Sequence, residues 1–190
     1  FQYFVFYASG PVTAIATPLT GNLNSLVEVT GTARDFPIDA SLKRVGMDRV
    51  ELQIIDLGYD HALGGSGGDE DRYWDDISTF SATSSTITIN ISGQNQVTWS
   101  YDNPDTIWED GHTYLFRGTA FDALDNITGQ KASEQVIFDS SAPATFITRP
   151  AEGIGYNGTS NQLLTISGTA DDLPGATLVN VGVNTSIFRI

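Results

Sequence analysis

The chain has 190 residues, 40% of them hydrophobic, and sets 23 acidic side chains against 9 basic ones for a formal charge of −14, with no cysteine. That is enough apolar material to bury a core in one or two domains. The negative field argues against nucleic acid or a membrane surface as a charge-driven partner and favours divalent cations, and without cysteine no disulfide or thiolate metal site is possible.

In chain order, the opening stretch FQYFVFYASGP (1–11) comes first. No Lys or Arg precedes Arg34, and Gln2 and Tyr3 interrupt the apolar run, so it lacks the form of a secretory signal. It also falls well short of the roughly 20 apolar residues of a membrane span. Phe4-Val5-Phe6-Tyr7 instead reads as a β-strand. Alternating stretches then recur between Gly, Pro, Asn and Asp clusters: VTAIA (12–16), LVEVTGTA (26–33), DRVELQII (48–55), STITINI (85–91), QVTWSY (96–101), TYLFRGTA (113–120) and SEQVIFD (133–139). In the third, Val50, Leu52 and Ile54 face one way and Glu51 and Gln53 the other. No segment keeps a helical period, so the expected class is all-β, an antiparallel sandwich.

The chain also repeats itself. VEVTGTARD (27–35) returns as LTISGTADD (164–172), SGPVTAIATP (9–18) as SAPATFITRP (141–150), and VGMDRVELQI (45–54) as VGVNTSIFRI (181–190). The second offset carries FVF (4–6) onto VIF (136–138), so the opening strand matches the closing strand of a repeat. The expected division is 1–8 as the last strand of one repeat, 9–140 as a complete domain, and 141–190 as the start of the next.

WEDGHTYLFRGTAFDALDNITGQKASEQVIFDSSAPATFITRP (108–150), together with LTISGTADD, resembles bacterial immunoglobulin-like tandem repeats of surface proteins and adhesins. The resemblance implies an immunoglobulin-like sandwich, with Tyr114 as a tyrosine corner after the tight turn at Asp110-Gly111. ALDN (123–126) departs from the family's frequent Gly-Asn turn, and the segment from 58 to 86 is an insertion. A composition rich in Gly, Ser, Thr and Asn points to an extracellular or cell-surface location. Sequons at Asn90, Asn126, Asn157 and Asn184 are acceptors for glycosylation, though chance explains most of them in a chain this rich in Asn, Ser and Thr.

Candidate chemistry concentrates in carboxylates. Asp69, Glu70, Asp71, Asp75 and Asp76 sit in a glycine-rich loop able to wrap calcium, or they form a solvated acidic insertion. Within that loop Tyr73 and Trp74 read either as a ligand platform or as caps on the neighbouring core. In the immunoglobulin-like sandwich that the resemblance implies, the second and sixth strands run in the same direction, so Asp35 and Asp122 past their ends would gather with Asp125 at the pole where the chain comes in. There they would hold a junction calcium or close Asx-turns. His61 and His112 lack metal-ligand spacing, and paired acids arise freely in so acidic a chain, so no catalytic residue is assigned. The expected role is a non-catalytic structural repeat of a stalk, adhesin shaft or filament, whose partners are neighbouring repeats or copies of itself. The alternatives are a module binding a glycan or a host surface, and an accessory domain of a secreted hydrolase.

Overall fold

The computed structural model describes residues 9–35, 44–59, 62–64, 71–93, 96–103, 107–129 and 131–172. The strand expected at Phe4–Tyr7, His61, Asp69, Glu70 and the copied segment 181–190 lie outside them. The chain divides into two compact units, Phe1–Asp139 and Ser140–Ile190.

In the first unit all seven strands expected from alternation are present: β1 (Val12–Thr17), β3 (Glu28–Arg34), β4 (Met47–Gly58), β7 (Ile87–Gly93), β8 (Val97–Asp102), β9 (Thr113–Asp122) and β10 (Ala132–Phe138). Three short strands join them: β2 (Gly21–Leu23), β5 (Arg72–Trp74) and β6 (Phe80–Ser81). One sheet has the order β1-β3-β8 and the other β2-β10-β9-β4-β5-β6, with β7 also pairing β4. The pairs are antiparallel except β2 with β10, which run parallel from Gly21↔Val136 to Leu23↔Phe138.

The alternation in the sequence decides what lies between the sheets. Val50, Leu52 and Ile54 of β4 are buried, while Glu51 and Gln53 on the other face are half-exposed. They share one core with Ile15, Val29 and Trp99 of the first sheet and Tyr114, Phe116 and Val136 of the second. Two sheets closing on a common core make a sandwich, and each fully buried side chain of this size contributes roughly 1.5–3 kcal/mol. On β8, Trp99 is buried while Thr98 and Ser100 face solvent. Trp99 can lie against the backbone only because residue 31 is glycine: a Cβ there would overlap the indole and the Ala14 carbonyl oxygen.

The segment read as an insertion is partly built into the sandwich. β5 pairs Ile55 and Asp56 of β4, β6 pairs β5, and Trp74 and Phe80 enter the main core. Ile55 and Leu57, on the opposite face of β4, form a second small cluster with Leu115 and Tyr73. The end of β4 is therefore apolar on both faces, which explains why its alternation stops after Ile54.

The turns behave as their sequences imply. Gly111 has φ 80°, and the ALDN departure is absorbed by Asp125, whose φ of 59° is the left-handed conformation that Asp tolerates better than most non-glycine residues. Tyr114 is fully buried and its Oη accepts the Glu109 amide at 2.7 Å, a tyrosine corner.

In the second unit, β11 (Ala144–Arg149) pairs β12 (Ser167–Asp171) antiparallel. The partners run Ala144↔Asp171, Thr145↔Ala170, Phe146↔Thr169, Ile147↔Gly168 and Arg149↔Ser167, with a slip between Ile147 and Arg149. In the first unit β1 and β3 pair as Val12↔Arg34, Thr13↔Ala33, Ala14↔Thr32, Ile15↔Gly31 and Thr17↔Thr30, with the slip between Ile15 and Thr17. Every pair, and the slip, recurs at the sequence offsets.

Candidate functional site

The ends of the strands define two poles of the first unit. At the first, where β1 begins opposite the end of β3, Asp35 follows β3 and Asp122 closes β9 opposite Met47. Gly46 joins them: its amide donates to Asp35 Oδ2 at 2.7 Å, and its carbonyl accepts from the Ala123 amide at 2.9 Å. Asp122 is buried and both its oxygens are in use. Oδ1 accepts the Leu124 and Asn126 amides at 2.8 and 2.9 Å, and Oδ2 accepts Asn126 Nδ2 at 2.8 Å. This is the loop-closing Asx-turn. Asp125 is exposed and pairs with Arg49 at 2.9 Å. The Arg49 guanidinium lies over the Phe121 ring and also meets Asp48 and Glu51, and these acids, Asp125 foremost, push its pKa above the ordinary value.

Calcium needs six or more oxygens, and the described residues do not assemble that set here. Asp122 and Asp125 are committed to other partners, and among the described residues no three acids at this pole bring their oxygens within 4.8 Å of one another. Asp35 differs, because it is 1% exposed and its Oδ1 has no hydrogen-bond partner. Asp172, its counterpart in the second unit, is likewise buried with an unpartnered Oδ1. Asp39, the next acid after Asp35, lies outside the described residues.

The acidic loop gives no cage among its described residues either. Asp71 Oδ2 accepts the Gly64 amide at 2.8 Å. Asp75 Oδ1 accepts three amides, from Thr79, Ser78 and Ile77 at 3.0, 2.8 and 2.9 Å, and these bonds hold its pKa below the usual carboxylate value. Asp76 accepts the Tyr101 hydroxyl at 2.8 Å, and that hydroxyl in turn accepts Trp74 Nε1 at 2.8 Å. Burial, with the Asp76 charge adding to it, pushes the Tyr101 phenol up to about 12. These side chains tie β5 to β8. Trp74 is 3% exposed, so neither face of its ring is open to a sugar, and the platform reading of Trp74 is corrected: its indole belongs to the core. Tyr73 is half-buried against Ile55, Leu57 and Leu115.

At the opposite pole stands a cluster the sequence reading did not assemble. Asp56 interrupts the apolar run of β4 with its carboxylate fully buried. Oδ1 accepts the Gly58 amide at 2.9 Å and lies 2.9 Å from His112 Nδ1, and Oδ2 accepts Arg72 Nη2 at 2.7 Å. Glu109 approaches from the turn before β9, 3.4 Å from His112 Nε2 and 3.5 Å from Arg72. Asp56, Glu109 and His112 have the close spacing of metal ligands, but Arg72 already supplies the positive charge between the two carboxylates. Removing Asp56 or His112, the two buried members of the cluster, typically costs about 3–5 kcal/mol. The available signal was Asp56 itself, a lone carboxylate in the run Ile54-Ile55-Asp56-Leu57, which requires a buried cationic partner.

Comparison of the chain with protein-family models, with curated proteins and with solved structures found no match.

Proposed function

We propose that the chain belongs to a tandem array of immunoglobulin-like sandwiches on a secreted or cell-surface protein, serving as a non-catalytic spacer in a stalk, shaft or filament. The observation that carries this reading is the shared register: β11 and β12 pair residue for residue as β1 and β3 do, slip included, at the offsets of the sequence repeat. The order β1-β3-β8 against β2-β10-β9-β4, the parallel β2–β10 pair and the tyrosine corner at Tyr114 support the immunoglobulin-like form. Neighbouring repeats, or copies of the same chain, are the partners such a spacer would have. The test is to join two, three and four copies of residues 9–143 head to tail and measure their maximum dimension by small-angle X-ray scattering. A spacer gives a length that rises linearly with copy number. Copies that collapse onto one another overturn the reading, and so does saturable binding of the native chain in a glycan screen.

Calcium at the first pole has one observation in its favour, the buried and unpartnered Oδ1 of both Asp35 and Asp172. Asp35 would be the anchoring ligand. The ion would offset the negative charge gathered there and stiffen the domain at the end where the chain comes in.

A further inference from the structure

We propose that the Asp56–His112–Glu109–Arg72 cluster is a proton-operated latch: with His112 protonated, the turn Trp108–His112 is clamped to β4 and β5, and loss of that proton loosens the end of β10.

The geometry selects the imidazolium. Both ring nitrogens of His112 face carboxylate oxygens, Nδ1 at 2.9 Å from Asp56 and Nε2 at 3.4 Å from Glu109. A neutral imidazole has one N–H and one lone pair, so either the buried Asp56 or the half-exposed Glu109 would face a lone pair. Protonated, the ring donates to Asp56 and pairs by charge with Glu109, and two positive groups, His112 and Arg72, stand against two carboxylates. Among the described residues the groups facing His112 are Asp56 of β4, Glu109 of its own turn, Arg72 of β5, the Tyr59 ring edge-on at 4.2 Å, and Tyr114 of β9 at 6.3 Å; Asp110 lies in the same turn. Tyr114 is held well above its ordinary pKa, first by burial, and stays neutral across the working range. Burial pulls His112 down, but the hydrogen bond to Asp56 and the charges of Asp56 and Glu109 outweigh it, leaving a raised pKa.

The turn carries the final bonds of the strand that ends the first unit. Gly111 N–H donates to the Phe138 carbonyl at 2.7 Å, and Phe138 N–H donates to the His112 carbonyl at 2.9 Å. The same turn supplies the Glu109 amide held by Tyr114. Because the folded pKa of His112 is raised, its stabilising contribution is full below about pH 6.5 and is lost as pH rises through the folded value.

The test uses the native chain. Histidine Cε1–H resonances are followed by NMR from pH 5 to 9, with His61→Asn identifying His112, and amide-exchange protection of Gly111 and Phe138 is measured over the same range. His112 is expected to titrate above 6.5, and the protection of both amides to fall by about tenfold for each unit by which it does so. His112→Gln, which keeps a donor toward Asp56 but cannot titrate, should show no such fall. Titration of His112 at or below 6.5 overturns the latch, as does protection that ignores its titration or a fall that persists in His112→Gln. If His112→Gln does not fold, the native titration and protection curves alone decide.

Discussion

Trp74→Ala separates the two readings of the acidic segment. In the structure the indole is 3% exposed, its ring centroid lies 5.3 Å from that of Phe80, and its Nε1–H is spent on Tyr101. Truncating a buried Trp to Ala costs roughly 3–5 kcal/mol, because transfer energy is lost and a cavity remains. The Tyr101 hydroxyl also loses its donor, though it keeps Asp76 as an acceptor. Against a total stability of about 5–15 kcal/mol for a typical domain, this is roughly a fifth or more, and a midpoint drop on the order of 10–15 °C follows for a unit of this size. Urea denaturation followed by far-ultraviolet circular dichroism gives the free energy, with Trp74→Phe as the control that keeps most of the bulk. A loss under about 1 kcal/mol for Trp74→Ala would place the ring at the surface. The core assignment would then be wrong and a ligand platform would again be open.

Tyr114→Phe removes the acceptor of the Glu109 amide and should cost about 1–3 kcal/mol by urea denaturation, with the fold retained. Gly31→Ala forces a Cβ into Trp99 and the Ala14 carbonyl and should cost about 1–3 kcal/mol or more, with Trp99 fluorescence shifting as the ring is displaced. Calcium should raise the melting midpoint of the native chain relative to chelator, since a ligand that binds only the folded state must stabilise it. The same addition should leave Asp35→Asn unmoved, and equal shifts in both proteins would remove Asp35 as the anchor.

The seven long strands were legible because each carries its own period-2 pattern, with Val50, Leu52 and Ile54 the plainest case. β2, β5 and β6 have three, three and two residues, too few for a pattern, and what makes them strands is the neighbour they lie beside. Asp122 shows the other limit. Its place at the end of β9 could be read from GTAFD, but whether its oxygens meet an ion or the amides of residues 124 and 126 depends on loop geometry. The Asp56 cluster draws on positions 56, 72, 109 and 112, brought together only by the pairing of β4 with both β5 and β9. No local motif announces such a group.

The parallel pairing of β2 with β10 bears on how the first unit responds to tension. β2 lies near the start of the unit and β10 is its last strand, so a pull applied at the two ends draws these neighbours past each other along their length. The backbone bonds linking Gly21–Leu23 to Val136–Phe138 are then loaded in shear and must fail together. In a hairpin pulled open from its ends, the bonds would instead break in succession, each under the full load. β2 has only three residues, yet its parallel pairing sets how the bonds at the end of the first unit share a load.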